Sequence, residues 1–227
     1  MPSHPAARAV IDAGGGYIAA PSANTSGRPS PTRAEHVAED LDGRIEMIVD
    51  GGPVEIGVES TILDMTVTPP MILRPGAVTR EMLEELIGEV AVDQTLLKAD
   101  SRTAPKSPGM KYRHYAPKAN LVVVEGEVEK VTAWIRETAA TKQQEGKRVG
   151  IIATEETKES YPDGDVKVAG TRADEATIAS SLYGILREFD GDGVDEIYSE
   201  AFASGGIGAA VMNRLLKAAG HQVIRIT

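Results

Sequence analysis

The chain has 227 residues, 41% of them apolar and 26% charged, and a net charge of −10. That is the balance of a soluble globular protein with one large or two small domains, and the negative charge disfavours broad, sequence-independent binding to nucleic acid. It contains no cysteine, which excludes disulfides, thiolate chemistry and cysteine-ligated metals; no apolar run is long enough to span a bilayer, and MPSHPAARAV lacks the hydrophobic core of a signal peptide, so a cytoplasmic location is expected.

In chain order, residues 5–13 read as a short helix stopped by Gly14-Gly15-Gly16. "YIAAPS" predicts a strand over residues 17–20, ended by Pro21, and a polar loop, "SANTSGRPSP", follows. Thr32 with Glu35 three residues on forms a capping box for a helix that carries Val37 and Leu41 on one face and ends at Gly43. "EMIVD", "STILDM" and "MILRPG" predict three strands, and Thr79 caps a helix with Met82, Leu83, Leu86 and Ile87 on its apolar face. From residue 93 to 117 no period survives, which marks a linker or a functional loop.

Beyond residue 117 the rhythm changes. The strands "NLVVVEG", "RVGIIAT", "VKVAG", "VDEIYSEAF" and "QVIRI" alternate with helices over residues 127–145, 174–189 and 207–219. Alternation of this kind implies parallel strands joined by right-handed crossovers. The expected fold is therefore α/β: a mixed α/β domain over residues 1–92, a linker over 93–117, and a small Rossmann-like parallel α/β domain over 118–227.

Four stretches carry candidate chemistry. "PSANTSGRPSPT" crowds Ser22, Asn24, Thr25, Ser26, Ser30 and Thr32 around Gly27 and Arg28 between a strand and a helix start. Such a loop suits an anion, and equally suits plain helix capping. In "GVESTILD" the Ser60 and Thr61 hydroxyls face opposite sides of a strand, so one can reach a ligand while the other satisfies the sheet; an edge strand with polar residues explains it as well. Arg74 of "LRPG", backed by Pro75, is placed as a phosphate clamp or as a surface ion pair. "PKSPGMKYRHYAP" concentrates Tyr112, Tyr115, His114, Lys106, Lys111 and Arg113 between two prolines in an acidic chain. His4, His36, His114 and His221 show no metal spacing, so no protein metal site is expected. The run Gly205, Gly206, Gly208 before a helix reads as a tight turn, since it does not match the dinucleotide fingerprint, and the acidic "EETKES" reads as a solvated face.

"HP…IAAPSANTSGRPSPT", "VDGGP…GVESTILD", "ILRPGAVT" and "SPGMKYRHYAP" occur in that order. Together they resemble the threonylcarbamoyl-AMP synthase family in its long, two-domain form, with a YrdC-like catalytic domain followed by a C-terminal domain; "MNRLLKAAG" resembles the tail domain. The resemblance implies joining L-threonine, bicarbonate or CO2, and ATP into threonylcarbamoyl-AMP with release of pyrophosphate, Mg2+ accompanying ATP, and handing the product to proteins that modify tRNA adenosine. It implies that Ser22 and Asn24 contact nucleotide or threonine, Thr32 the ATP phosphates, Ser60 threonine and Arg74 the nucleotide. Tyr112 or Tyr115 would close over the site as part of a lid. It assigns no catalytic acid or base. The family's catalytic domain begins well upstream of "HP", with a Lys-x-Arg cluster and further strands. The expectation is thus a YrdC-like domain truncated at its N-terminus, unstable or self-associating and without synthase activity by itself. An alternative is a non-catalytic nucleotide- or RNA-binding module; the net charge of −10 weighs against stable nucleic-acid binding.

Overall fold

The computed structural model describes residues 1–93, 96 and 115–227. Two sheets organise them. The first has three short strands, β1 (Ile62–Asp64), β2 (Met71–Arg74) and β3 (Ala91–Val92), in the order β1-β2-β3, with β1 antiparallel and β3 parallel to β2. The second has five parallel strands, β4 (Asn120–Glu125), β5 (Val149–Ala153), β6 (Asp165–Val168), β7 (Glu196–Glu200) and β8 (Val223–Arg225), ordered β6-β5-β7-β4-β8.

The five-stranded sheet is the centre of a three-layer sandwich. Its residues alternate between two cores, as strand geometry requires. Leu121, Val123, Ile152 and Ile197 pack against α5 (Glu175–Asp192) and α6 (Gly208–Ala218), while Val124, Val149, Ile151 and Tyr198 pack against α4 (Val128–Gln144). Asp174 starts α5 by accepting from the Ala176 N–H at 3.1 Å, and Gly193, with φ +66°, ends it in the left-handed conformation that glycine adopts without strain. The Rossmann-like parallel domain expected from the alternating pattern is the one observed.

The first 93 residues are built differently. Helices α1 (Pro5–Ala13), α2 (Ala34–Leu41) and α3 (Arg80–Ile87) form where the sequence predicts them. The strands predicted over residues 17–20 and 46–50 do not form. A strand needs a ladder partner, and these segments lie exposed: Tyr17 is 92% accessible and Met47 77%. Strand β3 was not anticipated; its Ala91 and Asp93 N–H groups donate to the carbonyls of Pro70 and Ile72. The capping box of Thr32 and Glu35 is also replaced. Helix α2 starts from Arg33 with no side-chain cap, and the Thr32 N–H donates to His36 Nδ1 at 3.1 Å. Burial first, and then the Arg187 charge, lower the His36 pKa, which keeps that nitrogen an acceptor.

One face of α5 carries the first unit. Ser180, Tyr183, Gly184 and Arg187 recur at helical spacing on that side. A Cβ on Gly57 would lie 2.2 Å from the Ala179 carbonyl oxygen, so the backbone can approach the helix only with glycine there, at φ +75°. Among the described residues no helix is long and apolar enough to cross a membrane.

Candidate functional site

The β1–β2 hairpin brings the two strongest sequence candidates together. Arg74, at the end of β2, donates from Nε to the Ser60 carbonyl at 3.0 Å. The Thr61 hydroxyl donates to the Val78 carbonyl at 2.6 Å, whereas Ser60 is exposed. The strand expected to start at these residues begins only at Ile62, so the division of the two hydroxyls, Thr61 to a backbone carbonyl and Ser60 to solvent, comes from the segment before β1 and not from strand alternation.

Behind this pair stands Glu59. Its carboxylate accepts from Ser30 Oγ at 2.7 Å, from the Tyr183 hydroxyl at 3.0 Å and from Arg214 Nε at 2.9 Å. Burial alone would raise the Glu59 pKa; the Arg214 charge and the hydrogen bonds from Ser30 and Arg214 outweigh it, and the carboxyl sits below its ordinary value. Arg214 is 1% exposed and also donates to the carbonyls of Glu59, at 3.0 Å, and Pro75, at 2.6 Å. Tyr115 closes this side. It is buried, its ring 5.0 Å from that of Tyr183, and burial followed by the Glu59 charge raises its pKa.

Among the described residues, positive charge exceeds negative here. Burial lowers the Arg74 pKa and Arg214 lowers it further. Lys217, one turn along α6 from Arg214 and also buried, is brought down to about 8 by burial first, then by Arg214 and Arg74. Glu59 is the carboxylate that these three cations share. An anion placed among them would relieve their mutual repulsion.

Other candidates lie elsewhere along the polar loop. Asn24 donates from Nδ2 to the carbonyls of Thr25, at 2.9 Å, and Arg28, at 3.4 Å, and its Oδ1 is buried with no partner among the described residues. That loop is held by Asp40, which accepts from the Thr25 N–H at 3.1 Å, pairs with Arg28, and binds Arg187 at 2.9 Å. Arg187 also donates twice to the Pro29 carbonyl, at 2.7 and 3.0 Å. Ser22 is exposed. Thr32 is buried, with its hydroxyl 3.4 Å from His36 Nδ1, and it lines a cleft of about 540 Å3 with Arg33, Val54, Lys167 and Glu188 rather than the Ser60–Arg74 pair. Tyr112 and the rest of residues 105–114, including Lys106, Lys111, Arg113 and His114, lie outside the described residues, so of the expected lid the structure describes Tyr115, Ala116 and Pro117.

Sequence reasoning missed Glu59 as a hub and missed its partners Tyr183, Arg214 and Lys217. A signal was present: Arg214 and Lys217 interrupt an apolar helix face carried by Val211, Leu215 and Ala218, all buried. A cation inside an apolar stripe needs a buried partner. Two smaller readings hold with added detail. The acids of "EETKES" are exposed, and Glu156 accepts from the Thr171 hydroxyl and the Arg172 N–H, the first of which chiefly lowers its pKa to about 2. The glycine run forms a turn before α6, whose N-terminus is met by the Glu175 carboxylate, accepting from the Gly208 N–H at 3.0 Å. Among the described residues no cluster of three or more His, Asp or Glu could hold a metal ion.

Residues 1–76 match the family model described as "Telomere recombination", and residues 78–220 match that of "Threonylcarbamoyl-AMP synthase, C-terminal domain". A Bacillus subtilis protein named threonylcarbamoyl-AMP synthase is 53% identical over 99% of the chain, and one from Pyrococcus abyssi is 47% identical over 100% of it. The chain spans 63% and 64% of the length of these two relatives. The crystal structure of P. abyssi Sua5 complexed with L-threonine superposes with a TM-score of 0.90 at 46% identity, covering 100% of this chain and 65% of that one. The family match through the second unit and the shared fold of both units lead to one assignment: the chain belongs to the threonylcarbamoyl-AMP synthase family.

Proposed function

We propose that the chain serves the formation of threonylcarbamoyl-AMP and pyrophosphate from L-threonine, bicarbonate or CO2, and ATP, for tRNA modification. The observation that supports this best is the Arg74–Ser60 pair set among Arg74, Arg214 and Lys217, with Glu59 as their shared carboxylate. In this reading Arg74 clamps nucleotide phosphate and the exposed Ser60 hydroxyl holds threonine. Asn24 offers its unpartnered Oδ1 to an amine of either substrate, with Ser22 beside it. Thr32 stands at the far end of the same loop, and its hydroxyl would have to leave His36 to reach a phosphate. Tyr115, with Tyr112 ahead of it in sequence, covers the ligands.

The chemistry suits such a donor set. The threonine amine takes up CO2 as a carbamate, a carbamate oxygen attacks the α-phosphorus of ATP, and pyrophosphate leaves. Transfer at phosphorus depends mainly on positioning and on neutralising charge, which hydroxyls and guanidinium groups supply without a tuned acid or base. A buried tyrosine beside the site helps to keep water from a mixed anhydride. Mg2+ would arrive with the ATP phosphates. The carboxylate nearest the site, Glu59, is fully engaged by Ser30, Tyr183 and Arg214, so no protein ligand for the metal is assigned. The product would pass to tRNA-modifying proteins.

Titration of the chain with ATP in the presence of L-threonine tests this reading. Saturable binding is expected, weakened about tenfold or more by Arg74→Ala, since hydrogen bonds to a charged group are worth roughly 1.5–3 kcal/mol. Absence of binding to the unaltered chain overturns it. Pyrophosphate release from the same samples separates holding substrates from turning them over. With the three-stranded sheet so short and residues such as Tyr17 and Met47 so exposed, binding without robust turnover is the expected outcome.

A further inference from the structure

We propose that Arg214, on α6 of the second unit, is a positioning residue for the ligand site of the first: its guanidinium fixes the distance and orientation at which Ser60 and Arg74 present themselves. This rests on the functional reading above and deepens it: that reading uses Arg214 as a source of positive charge, and here the same side chain also sets the geometry of the site.

The geometry points there because of where three of the acceptors of Arg214 lie; a fourth, the Asn213 Oδ1 at 3.2 Å, is its neighbour on α6. Glu59 immediately precedes Ser60, and Pro75 immediately follows Arg74. Arg214 takes the Glu59 carboxylate and the Glu59 carbonyl on one side and the Pro75 carbonyl on the other. Between them runs the hydrogen bond from Arg74 Nε to the Ser60 carbonyl. The β1–β2 ladder has its last pair at Ile62 and Arg74, with an irregularity between Ile62 and Leu63. Beyond that pair the described residues show no ladder bond between the two segments; the Thr61 hydroxyl reaches Val78 and Arg74 reaches Ser60 from within the unit, and the Arg214 fork spans the same gap from the other unit. The close packing of Gly76 against the same strand, where a Cβ would lie 2.4 Å from the Thr61 nitrogen, leaves little room for an alternative path.

Arginine is the residue this task requires. Its donors are fixed in one plane, so three acceptors on the segments that flank β1 and β2 are held in a single relative placement. Lysine would satisfy the Glu59 charge but could not span both carbonyls with the same rigidity. Tyr183 and Ser30 hold the remaining Glu59 lone pairs, so the carboxylate is itself immobile and passes the constraint on to Ser60. The second unit thus acts on the first through a side chain that need never touch a ligand.

A double-mutant cycle on the chain decides the matter, with ATP as the probe in the presence of L-threonine. Arg214→Met is expected to weaken ATP about tenfold or more, and Arg214→Lys by an intermediate factor. In an Arg74→Ala background Arg214→Met should cost less than about twofold more, because the pair it positions is already lost. A merely structural role predicts the same loss in both backgrounds, and that result, or wild-type affinity in a folded Arg214 variant, overturns the proposal. Should Arg214→Met not fold, Arg214→Lys and Tyr183→Phe enter the same cycle. If the unaltered chain binds no ATP, the functional reading fails while this inference is still decided, by hydrogen exchange at the Arg74 Nε–H. Faster exchange in Arg214→Lys, with β5 amides unchanged, supports it; unchanged exchange refutes it.

Discussion

The two units of this chain are held together by opposite means. Residues 115–227 bury two apolar cores, one on each face of a five-stranded parallel sheet. In the first 93 residues the buried apolar side chains are Pro29, Ile72 and Val90, while Ser30, Thr32, His36 and Asp40 are also buried. What fixes the first unit is a polar seam against α5 and α6, in which Arg187 reaches Pro29, Glu39 and Asp40 and Arg214 reaches Glu59 and Pro75. An apolar core tolerates small shifts, whereas a seam of buried charges is directional and fails when one partner is lost. The lesson is that the first unit takes its geometry from the second, and that the candidate site residues Ser60 and Arg74 lie on the side that takes it.

The sharpest way to break this comparison is Arg187→Met. Arg187 and Asp40 are both nearly fully buried, with Nη2 to Oδ2 at 2.9 Å, and removing the cation leaves Asp40 with Arg28 and the Thr25 N–H. Loss of one partner of a buried pair costs roughly 3–5 kcal/mol. The cost should fall on docking of the first unit. Proteolytic cleavage within residues 22–42 should rise steeply, while the fluorescence of Trp134, packed 5.8 Å from Tyr198 on the far face of the sheet, keeps its unfolding midpoint. Simultaneous loss of both signals would show that the two units are one cooperative body.

Acid should separate the units more gently. The Asp40 and Glu59 carboxyls both sit below their ordinary values. Burial opposes this in each case; bonds from Arg187 and the Thr25 N–H at Asp40, and Arg214 and Ser30 at Glu59, outweigh it. A depressed carboxyl contributes stability that is complete above its unfolded value of about 4 and is lost as pH falls through the folded one. The near-ultraviolet signal of Tyr183 and Tyr115 should therefore decay as pH drops below about 4, ahead of the Trp134 fluorescence. Coincident decay would place the acid-labile groups in the second unit instead.

How far each unit could be read from sequence follows from the same contrast. "NLVVVEG" and "RVGIIAT" are continuous apolar runs, the signature of strands covered on both faces, and they became β4 and β5. The α5 stripe through Ile178, Leu182, Ile185, Leu186 and Phe189 was equally plain, and every one of these is buried. "YIAA" and "EMIVD" carry strand propensity of the same kind, yet no ladder forms at either, because pairing is a tertiary fact that propensity does not contain. At the site, Ser60, Arg74 and Tyr115 were legible as residue types suited to phosphate and to covering a ligand. Glu59, Tyr183, Arg187 and Arg214 were not. Their chemistry lies between segments more than 120 positions apart, and no local pattern joins such segments.

The smallest effects test the contrast most finely, since one chemical lesion can be made in both units. Thr79 caps α3 by accepting from the Met82 N–H at 3.4 Å, and Asp174 caps α5 by accepting from the Ala176 N–H at 3.1 Å. Replacing either cap by alanine removes about 0.5–2 kcal/mol from its helix. Helix α3 buries none of its residues, and Leu86 is 82% exposed, so there is no packed surface through which the loss can spread. Helix α5 buries Ile178, Leu182, Leu186 and Phe189 against the five-stranded sheet and carries Tyr183 and Arg187 to the seam. Thr79→Ala should then raise exchange a few-fold at Met82 and Leu83 and leave the urea midpoint unchanged, because opening α3 is a local event. Asp174→Ala should lower the global midpoint by the equivalent of about 1 kcal/mol and, through Tyr183 and Arg187, loosen the first unit as well. Equal global effects from the two substitutions would mean that α3 is packed into the common body, and that the first unit is not suspended from the second by its polar seam.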